Sequence, residues 1–382
     1  MKNLAVNGYS ADEVTTALLD SGRLLTFTYE WLSSSNVSKG FLTNVAPGGS
    51  ITNSALSSIK RQANFSLYSA SDPGFLFGSD RIRPIVSVTM PDGGLASFPQ
   101  GVFLVSAPAK KYSSGLVTVD CTGYDQAQVL TDDSVSVRYV VTAGTAYTDA
   151  VAALLVNIPN KNIISSDATL PIDRIWDIGT TKLQIINDLL ASINYNSLWF
   201  DGFGTAQVQP YVEPDSAPIT FTYTNVGDES MFTPEVTSTL DLFSVPNYIV
   251  FTVSQPGRPV LTSTFTNDDP KSPVSIINRG RKIAQIDTSA DVATQAELDA
   301  LVKRAALNAA NVYQSVEFTT PVMPIHENRD VLWLTHDGLD LSGKFAEVSW
   351  KMDLKAGGSM THTVRHVVNL DASLVGTPDV SN

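Results

Sequence analysis

The chain writes one β pattern twice. In the first copy Val88-Thr89-Met90 runs into the turn Pro91-Asp92-Gly93-Gly94. Gly101-Val102-Phe103-Leu104-Val105-Ser106, Lys110-Lys111, Gly115 and the alternating Leu116-Val117-Thr118-Val119 follow. In the second, Leu334-Thr335-His336 runs into Asp337-Gly338-Leu339. Gly343-Lys344-Phe345-Ala346-Glu347-Val348-Ser349, Lys355, Gly357 and an alternation from Met360 to Val364 follow. Gly101 and Gly343, Phe103 and Phe345, and Gly115 and Gly357 all share one offset of 242. Each copy reads as a strand, an Asp-Gly turn, a strand, a Gly turn and a strand, because glycine supplies the positive φ of a tight hairpin. The competing reading is that hairpins with one core phenylalanine recur through β grammar alone. A true duplication constrains symmetry, since three copies of a chain with two similar domains present six similar positions.

At 382 residues and 41.0 kDa the chain is sized for about two to four domains. Hydrophobic residues at 43% against 16% charged describe a folded globular body, with only Asp371 to Asn382 reading as a flexible tail. A net charge of −13 excludes nucleic-acid binding through a general basic surface, which needs Lys and Arg to neutralise phosphates. An acidic wall would instead let a polyanion pass without sticking. Cys121 is the single cysteine, so no intramolecular disulfide forms, as expected of a reducing compartment. Leu4-Ala5-Val6 is too short for a signal peptide and Ala150 to Ile158 too short for a bilayer crossing, so a soluble protein made in a cytoplasm, with no membrane-spanning segment, is expected.

The fold class expected is mainly β with α+β insertions: two related antiparallel β-barrels, an α+β domain between them and a helix inserted in the second. Residues 1–22 form an N-terminal helical extension, in which Ser10-Ala11-Asp12-Glu13 is a capping box, Val14, Ala17 and Leu18 share a face and Gly22 is the stop. Residues 23–123 form the first barrel. Its strands are marked by Leu25, Phe27 and Tyr29, then by Leu42 to Val45, Phe65 to Tyr68, Ile85 to Met90, Phe103 to Ser106 and Leu116 to Cys121. Residues 124–225 form the α+β insertion. One helix carries Val151, Leu154, Leu155 and Ile158; another, entered at Thr180 or Thr181, carries Leu183, Ile186, Leu189, Leu190 and Ile193. A hairpin turning at Asp201-Gly202 follows, and Pro210 to Pro218 reads as the exit linker. Residues 226–370 form the second barrel. Its inserted helix, about 294–314, opens on the capping box Thr294-Gln295-Ala296-Glu297 and buries Leu298, Leu301, Val302 and Ala305. Residues 371–382 are the tail.

No catalytic, cofactor-binding or metal-binding residue is assigned, and the chain reads as a non-enzyme. His326-Glu327 lacks the second histidine at i+4 of a zinc-protease helix, and Pro321 and Pro324 oppose a helix. His362 and His366 lie on a strand and read as surface residues. Asp132-Asp133 and Asp268-Asp269 adjoin turn residues and read as exposed loop ends. Asp201-Gly202-Phe203-Gly204 joins strand to strand, so no helix N-terminus follows to receive a phosphate. Cys121 reads as a small apolar residue.

The order of parts resembles the tail hub (baseplate hub) proteins of bacteriophages, including the hubs of contractile phages and related injection machines. The resemblance is carried by the duplicated Gly-x-Phe hairpins, by the helix into Asn194-Tyr195-Asn196 and Trp199-Phe200-Asp201-Gly202, and by the late helix before Asp330-Val331-Leu332-Trp333 and Gly343-Lys344-Phe345. It covers about Arg23 to Val368, and the helix before Gly22 falls outside the family's core. It implies a homotrimeric ring of six barrels that joins the sixfold tail tube or distal tail protein to a threefold central spike or tail fibre. DNA or the tape measure protein would pass through the lumen without specific binding, and the protein would sit at the virion's tail tip after assembly in the host cytoplasm. With no hydrolase expected after Val368, it implies a plain hub without cofactors. Two alternatives stay open: an adhesive, carbohydrate-binding tail protein using Trp31, Trp333 and Trp350, whose strand contexts favour the core, or a polysaccharide hydrolase.

Overall fold

The computed structural model describes residues 2–68, 74–225, 231–233, 235–240, 242–254, 259–288 and 295–369. The chain divides into two compact units, Met1–Val236 with Glu317–Val364, and Thr237–Val316 with Arg365–Asn382. Among the described residues no helix is long and apolar enough to cross a membrane.

The first unit opens with α1 (Ala11–Leu19), held by the capping box its sequence announces. The Ser10 hydroxyl accepts from the Glu13 N–H, and the Glu13 carboxylate accepts from the Ser10 N–H. Val14, Ala17 and Leu18 are buried beneath it. The strands that follow are β1 (Leu25–Leu32), β2 (Ser38–Leu42), β3 (Gly49–Ser54), β4 (Arg61–Tyr68), β5 (Arg81–Thr89), β6 (Leu95–Pro99), β7 (Phe103–Ser113) and β8 (Leu116–Tyr124). They pair antiparallel in the order β3-β4-β8-β7-β5-β1-β2, with β6 also on β5. Thr89 to Ile85 of β5 pair with β6, after which Ile82 and Arg81 pair with β7. The transfer happens at Gly101, whose φ of 127° turns the chain. A Cβ there would meet the Phe103 ring at 2.8 Å and Arg61 Cδ at 2.9 Å, so the turn and the packing both require glycine. Phe65, Ile82, Val86, Phe98, Phe103 and Cys121 lie in the core of this unit with Trp350 and Met352.

The inserted segment contributes α2 (Ala127–Asp132), β9 (Tyr139–Val141), α3 (Tyr147–Leu154), β10 (Lys161–Ile163), β11 (Arg174–Trp176), α4 (Lys182–Ser192), β12 (Trp199–Phe200) and β13 (Ala206–Val208). Its own core joins Leu130, Val151, Leu154, Ile158, Ile186, Leu189, Leu190 and Phe200. Thr181 caps α4 by accepting from the Gln184 N–H at 3.2 Å. β12 and β13 form the expected antiparallel hairpin, closed by Gly204 N–H donating to the Asp201 carbonyl at 2.9 Å.

Next come β14 (Phe221–Thr224) and β15 (Val236–Leu240). In the second unit β16 (Tyr248–Val253) lies between β17 (Leu261–Thr266), antiparallel, and a parallel strand reached after α5 (Ile276–Arg279), namely β18 (Ala284–Asp287). Then α6 (Gln295–Ala310) buries Leu298, Val302 and Ala306 against Ile249, Phe251, Val253 and Phe265, with Leu301 and Ala305 partly buried. The expected N-cap Thr294 and the tail 371–382 lie outside the described residues.

The chain closes with β19 (Asn311–Pro321), β20 (Val331–His336), β21 (Leu341–Leu354) and β22 (Ser359–Asn369). Within the first unit, β20 pairs parallel with β14 and antiparallel with the first half of β21, Leu341 to Ala346. The second half of β21, Ser349 to Leu354, pairs with β3. That pairing makes one continuous sheet of strands from both ends of the sequence. The fold is therefore mainly antiparallel β with an α+β insertion, as the pattern of periods required. The two copies of the repeat match in part: Phe103 and Phe345 are both buried, and Gly115 and Gly357 both turn at positive φ. They differ at the first glycine, since Gly101 breaks a strand whereas Gly343 lies inside an unbroken one.

Candidate functional site

Two buried polar centres lie in the first unit, around neighbouring residues of the Val322 to Asp330 segment. The first surrounds Glu327. Arg61, which begins β4 on the inward phase of Ala63, Phe65 and Leu67, is fully buried. Its guanidinium donates to Glu327 Oε2 at 2.5 Å and to the Gln100 carbonyl at 3.0 Å, and it lies 5.4 Å from the Trp350 ring centre. Glu327 Oε1 accepts from the Gly202 N–H at 3.0 Å and has the Lys2 ammonium 3.8 Å away. Lys2 also donates to Gln100 Oε1 at 2.9 Å and to the Pro324 carbonyl at 2.8 Å.

The hairpin turn at Asp201-Gly202 is thus seated on a buried charge network. The Gly101 N–H donates to the Gly202 carbonyl at 2.9 Å. A Cβ on Gly202 would stand 2.2 Å from the Pro99 carbonyl oxygen and 2.7 Å from Lys2 Cε. Burial by itself would raise the Glu327 carboxyl, but the Arg61 and Lys2 charges and the Gly202 N–H hold it below the ordinary range. Burial pushes Lys2 down to about 8. Asp125 accepts from the Arg61 N–H at 2.9 Å and the Ala127 N–H at 2.9 Å, yet burial pushes it up to about 6.

The second centre surrounds Glu347. His326, Glu347 and His362 are all buried and bring their ligand-type atoms within 4.8 Å of one another. His362 Nδ1 lies 2.6 Å from Glu347 Oε1, and His326 Nδ1 lies 2.9 Å from Glu347 Oε2. On the far side of each ring stands a hydroxyl: Tyr223 Oη at 2.8 Å from His326 Nε2, and Thr320 Oγ1 at 2.9 Å from His362 Nε2. Phe318 stacks on His362 at 4.7 Å between ring centres and 12° between planes. Burial would raise Glu347, but the two imidazoles, His326 foremost, outweigh it and hold the carboxyl down to about 2. Burial lowers His362.

This placement corrects the surface reading of His362, which is fully buried, while His366 is half-buried. The missed signal is its phase: Met360 and Val364, two residues to either side, are both core residues. Arg61 offered the same signal on β4. The remaining sequence candidates stay apart from both centres. Asp132 and Asp268 are exposed, and Asp133 pairs with Lys182 at 2.5 Å. Cys121 is buried and its thiol is pushed up to about 11 by burial, which suits packing rather than nucleophilic attack. Trp350 is buried. Trp31 is half-buried, its indole N–H donating to Asp80 at 2.8 Å, and Trp333 is half-buried with its N–H on Thr335.

No protein-family model matches the chain, and no curated protein sequence does. Solved structures do. The chain superposes on the tail protein from Neisseria meningitidis MC58 with a TM-score of 0.63 at 13% identity, over 89% of this chain and 96% of that one. It superposes on the 43 kDa tail protein of prophage MuSo2 from Shewanella oneidensis with a TM-score of 0.60 at 12% identity, over 91% and 100%. A chain of the Francisella PdpA–VgrG complex in its lidded form gives 0.56 at 8% identity, over 95% of this chain and 54% of that one. The chain therefore has the fold shared by these two tail proteins and a chain of the PdpA–VgrG complex.

Proposed function

We propose that the chain is a structural hub of a phage-type tail. Three copies form a ring whose six β units meet the sixfold tail tube or distal tail protein, while its threefold symmetry receives a central spike or fibre. The observation that carries this reading is the pair of β units, matched at Phe103 and Phe345 and joined through β21 and β3, in a fold that solved tail proteins share over about nine-tenths of this chain. The domains in this reading are a first barrel over 23–123, the insertion over 124–225 and a second barrel over 226–370. The two buried centres act in holding these parts rigid, which a load-bearing ring between mismatched symmetries requires. A charge of −13 per chain supports an acidic lumen through which DNA or a tape measure protein passes without adhering. The protein works without catalysis or a reaction cofactor, is assembled in the host cytoplasm and resides at the virion's tail tip. The engagement of Trp31 with Asp80 and the burial of Trp350 weigh against sugar stacking by these rings.

Light scattering tests the reading on the purified chain, alone and mixed with the tail proteins encoded beside it. The expected particle has three times the 41.0 kDa chain mass. A monomer in every mixture would remove the symmetry on which the proposal stands.

A further inference from the structure

Two atoms at the Glu347 centre are left over when its hydrogen bonds are assigned. His326 Nδ1 and Glu347 Oε2 are buried and face each other at 2.9 Å without hydrogen-bond geometry, and Asp330 Oδ2 lies 3.6 Å from the same nitrogen. The second imidazole has a complementary problem. The Thr320 hydroxyl lies 3.0 Å from the Pro321 carbonyl and 2.9 Å from His362 Nε2, so when it donates to the carbonyl it accepts from His362 Nε2–H. In that tautomer a neutral His362 turns a lone pair at Nδ1 toward the carboxylate oxygen 2.6 Å away, whereas in the other it donates to that oxygen. Tyr223 stands at Nε2 of His326 in the same way. Both imidazoles thus present Nδ1 inward and rest Nε2 on an outer hydroxyl, the arrangement that orients metal-bound histidines.

We propose that His326, Glu347 and His362 hold one divalent transition-metal ion of the zinc class. Two imidazole nitrogens and a carboxylate form a donor set suited to such an ion, with remaining coordination left to water or the second carboxylate oxygen. The ion takes up both Nδ1 lone pairs and the unpaired Oε2, so every buried polar atom at the centre gains a partner. Its role is structural. It fastens the segment before β20 to β21 and β22 of the first unit, from a site sealed by Phe318, Tyr223 and Thr320. The sequence conceals it because each ligand comes from a different element and no two of them have a metal-motif spacing.

The test uses the full chain, purified from cells grown with zinc and again after unfolding and refolding in chelator. Elemental analysis is expected to find about one metal ion per chain in the first sample. Zinc chloride added during refolding of the second is expected to raise its melting temperature by roughly 5 °C. Cobalt chloride in place of zinc is expected to give visible d–d bands, a readout that needs no variant. His362→Gln and Glu347→Gln are expected to lower metal content at least about tenfold while circular dichroism stays native. Absence of metal together with no response to zinc or cobalt on refolding would overturn the site, as would folded variants that keep a full complement of zinc.

Discussion

Glu327 and Glu347 are two buried carboxylates in one compact unit, and they are neutralised by different means. Glu327 meets a guanidinium, an ammonium and a backbone N–H, so both its oxygens are engaged within the chain. Glu347 meets only two imidazoles and keeps one oxygen without a hydrogen bond. The first is a lock held by charges of its own chain once it folds around the turn at Gly202, and the atom it leaves over is a donor, Arg61 Nε. The second is complete only with something added. Burial alone therefore does not separate a structural ion pair from a binding site; the chemistry of the atoms left over does, since an arginine N–H cannot ligate an ion whereas an imidazole nitrogen and a carboxylate oxygen can.

The comparison is broken most forcefully at Arg61. Arg61→Ala leaves Glu327 buried with only the Lys2 ammonium, 3.8 Å away, as a charged partner and opens a void under Trp350, and it is expected to destabilise the fold by about 5 kcal/mol. Urea denaturation would measure it, and a loss below about 1 kcal/mol would mean the lock is redundant. Gly202→Ala tests the same lock without touching a charge. Its methyl group meets the Pro99 carbonyl and Lys2, with an expected loss of about 3 kcal/mol and an unseated hairpin by amide exchange.

Glu347→Gln probes the other centre. It is expected to lower stability by about 2 to 3 kcal/mol in metal-replete protein, through the lost charged partner of the imidazoles, and to erase any difference between chelated and zinc-refolded samples. A zinc response as large as that of the unmutated chain would erase the distinction between the two centres.

The last effect is a pH dependence, spread over the range in which one carboxyl titrates. Asp125, pushed up to about 6 by burial, holds its proton more tightly in the fold than in the unfolded chain. The resulting stabilisation is complete below about pH 4 and is lost as pH rises through about 6, a change of roughly 3 kcal/mol. Asp125→Asn is expected to flatten that part of the stability profile, read from urea midpoints at successive pH values. An unchanged slope would assign the dependence to another group.

Local grammar made much of the fold legible. The Ser10/Glu13 capping box, the hairpin at Asp201-Gly202 and the turns at Gly115 and Gly357 each carry their cause within a few residues and form where the sequence puts them, and of the two threonines offered as the entry of α4 it is Thr181 that caps. Strand β3 was not legible. Gly49-Ser50-Ile51-Thr52-Asn53-Ser54 has the composition of a turn, and it becomes a strand because β4 and β21 supply partners on both edges. The two polar centres were hidden for the same reason, since Arg61 and Glu327 stand 266 residues apart. What sequence offered there was phase alone: Arg61 in step with Ala63 and Phe65, and His362 in step with Met360 and Val364.

Symmetry is the claim on which the functional account rests, and electron microscopy of the purified chain with its tail-tube neighbour tests it most directly. The account predicts class averages of a threefold ring with six similar lobes around an open centre. Particles that stay single, or that assemble without threefold symmetry, would contradict it.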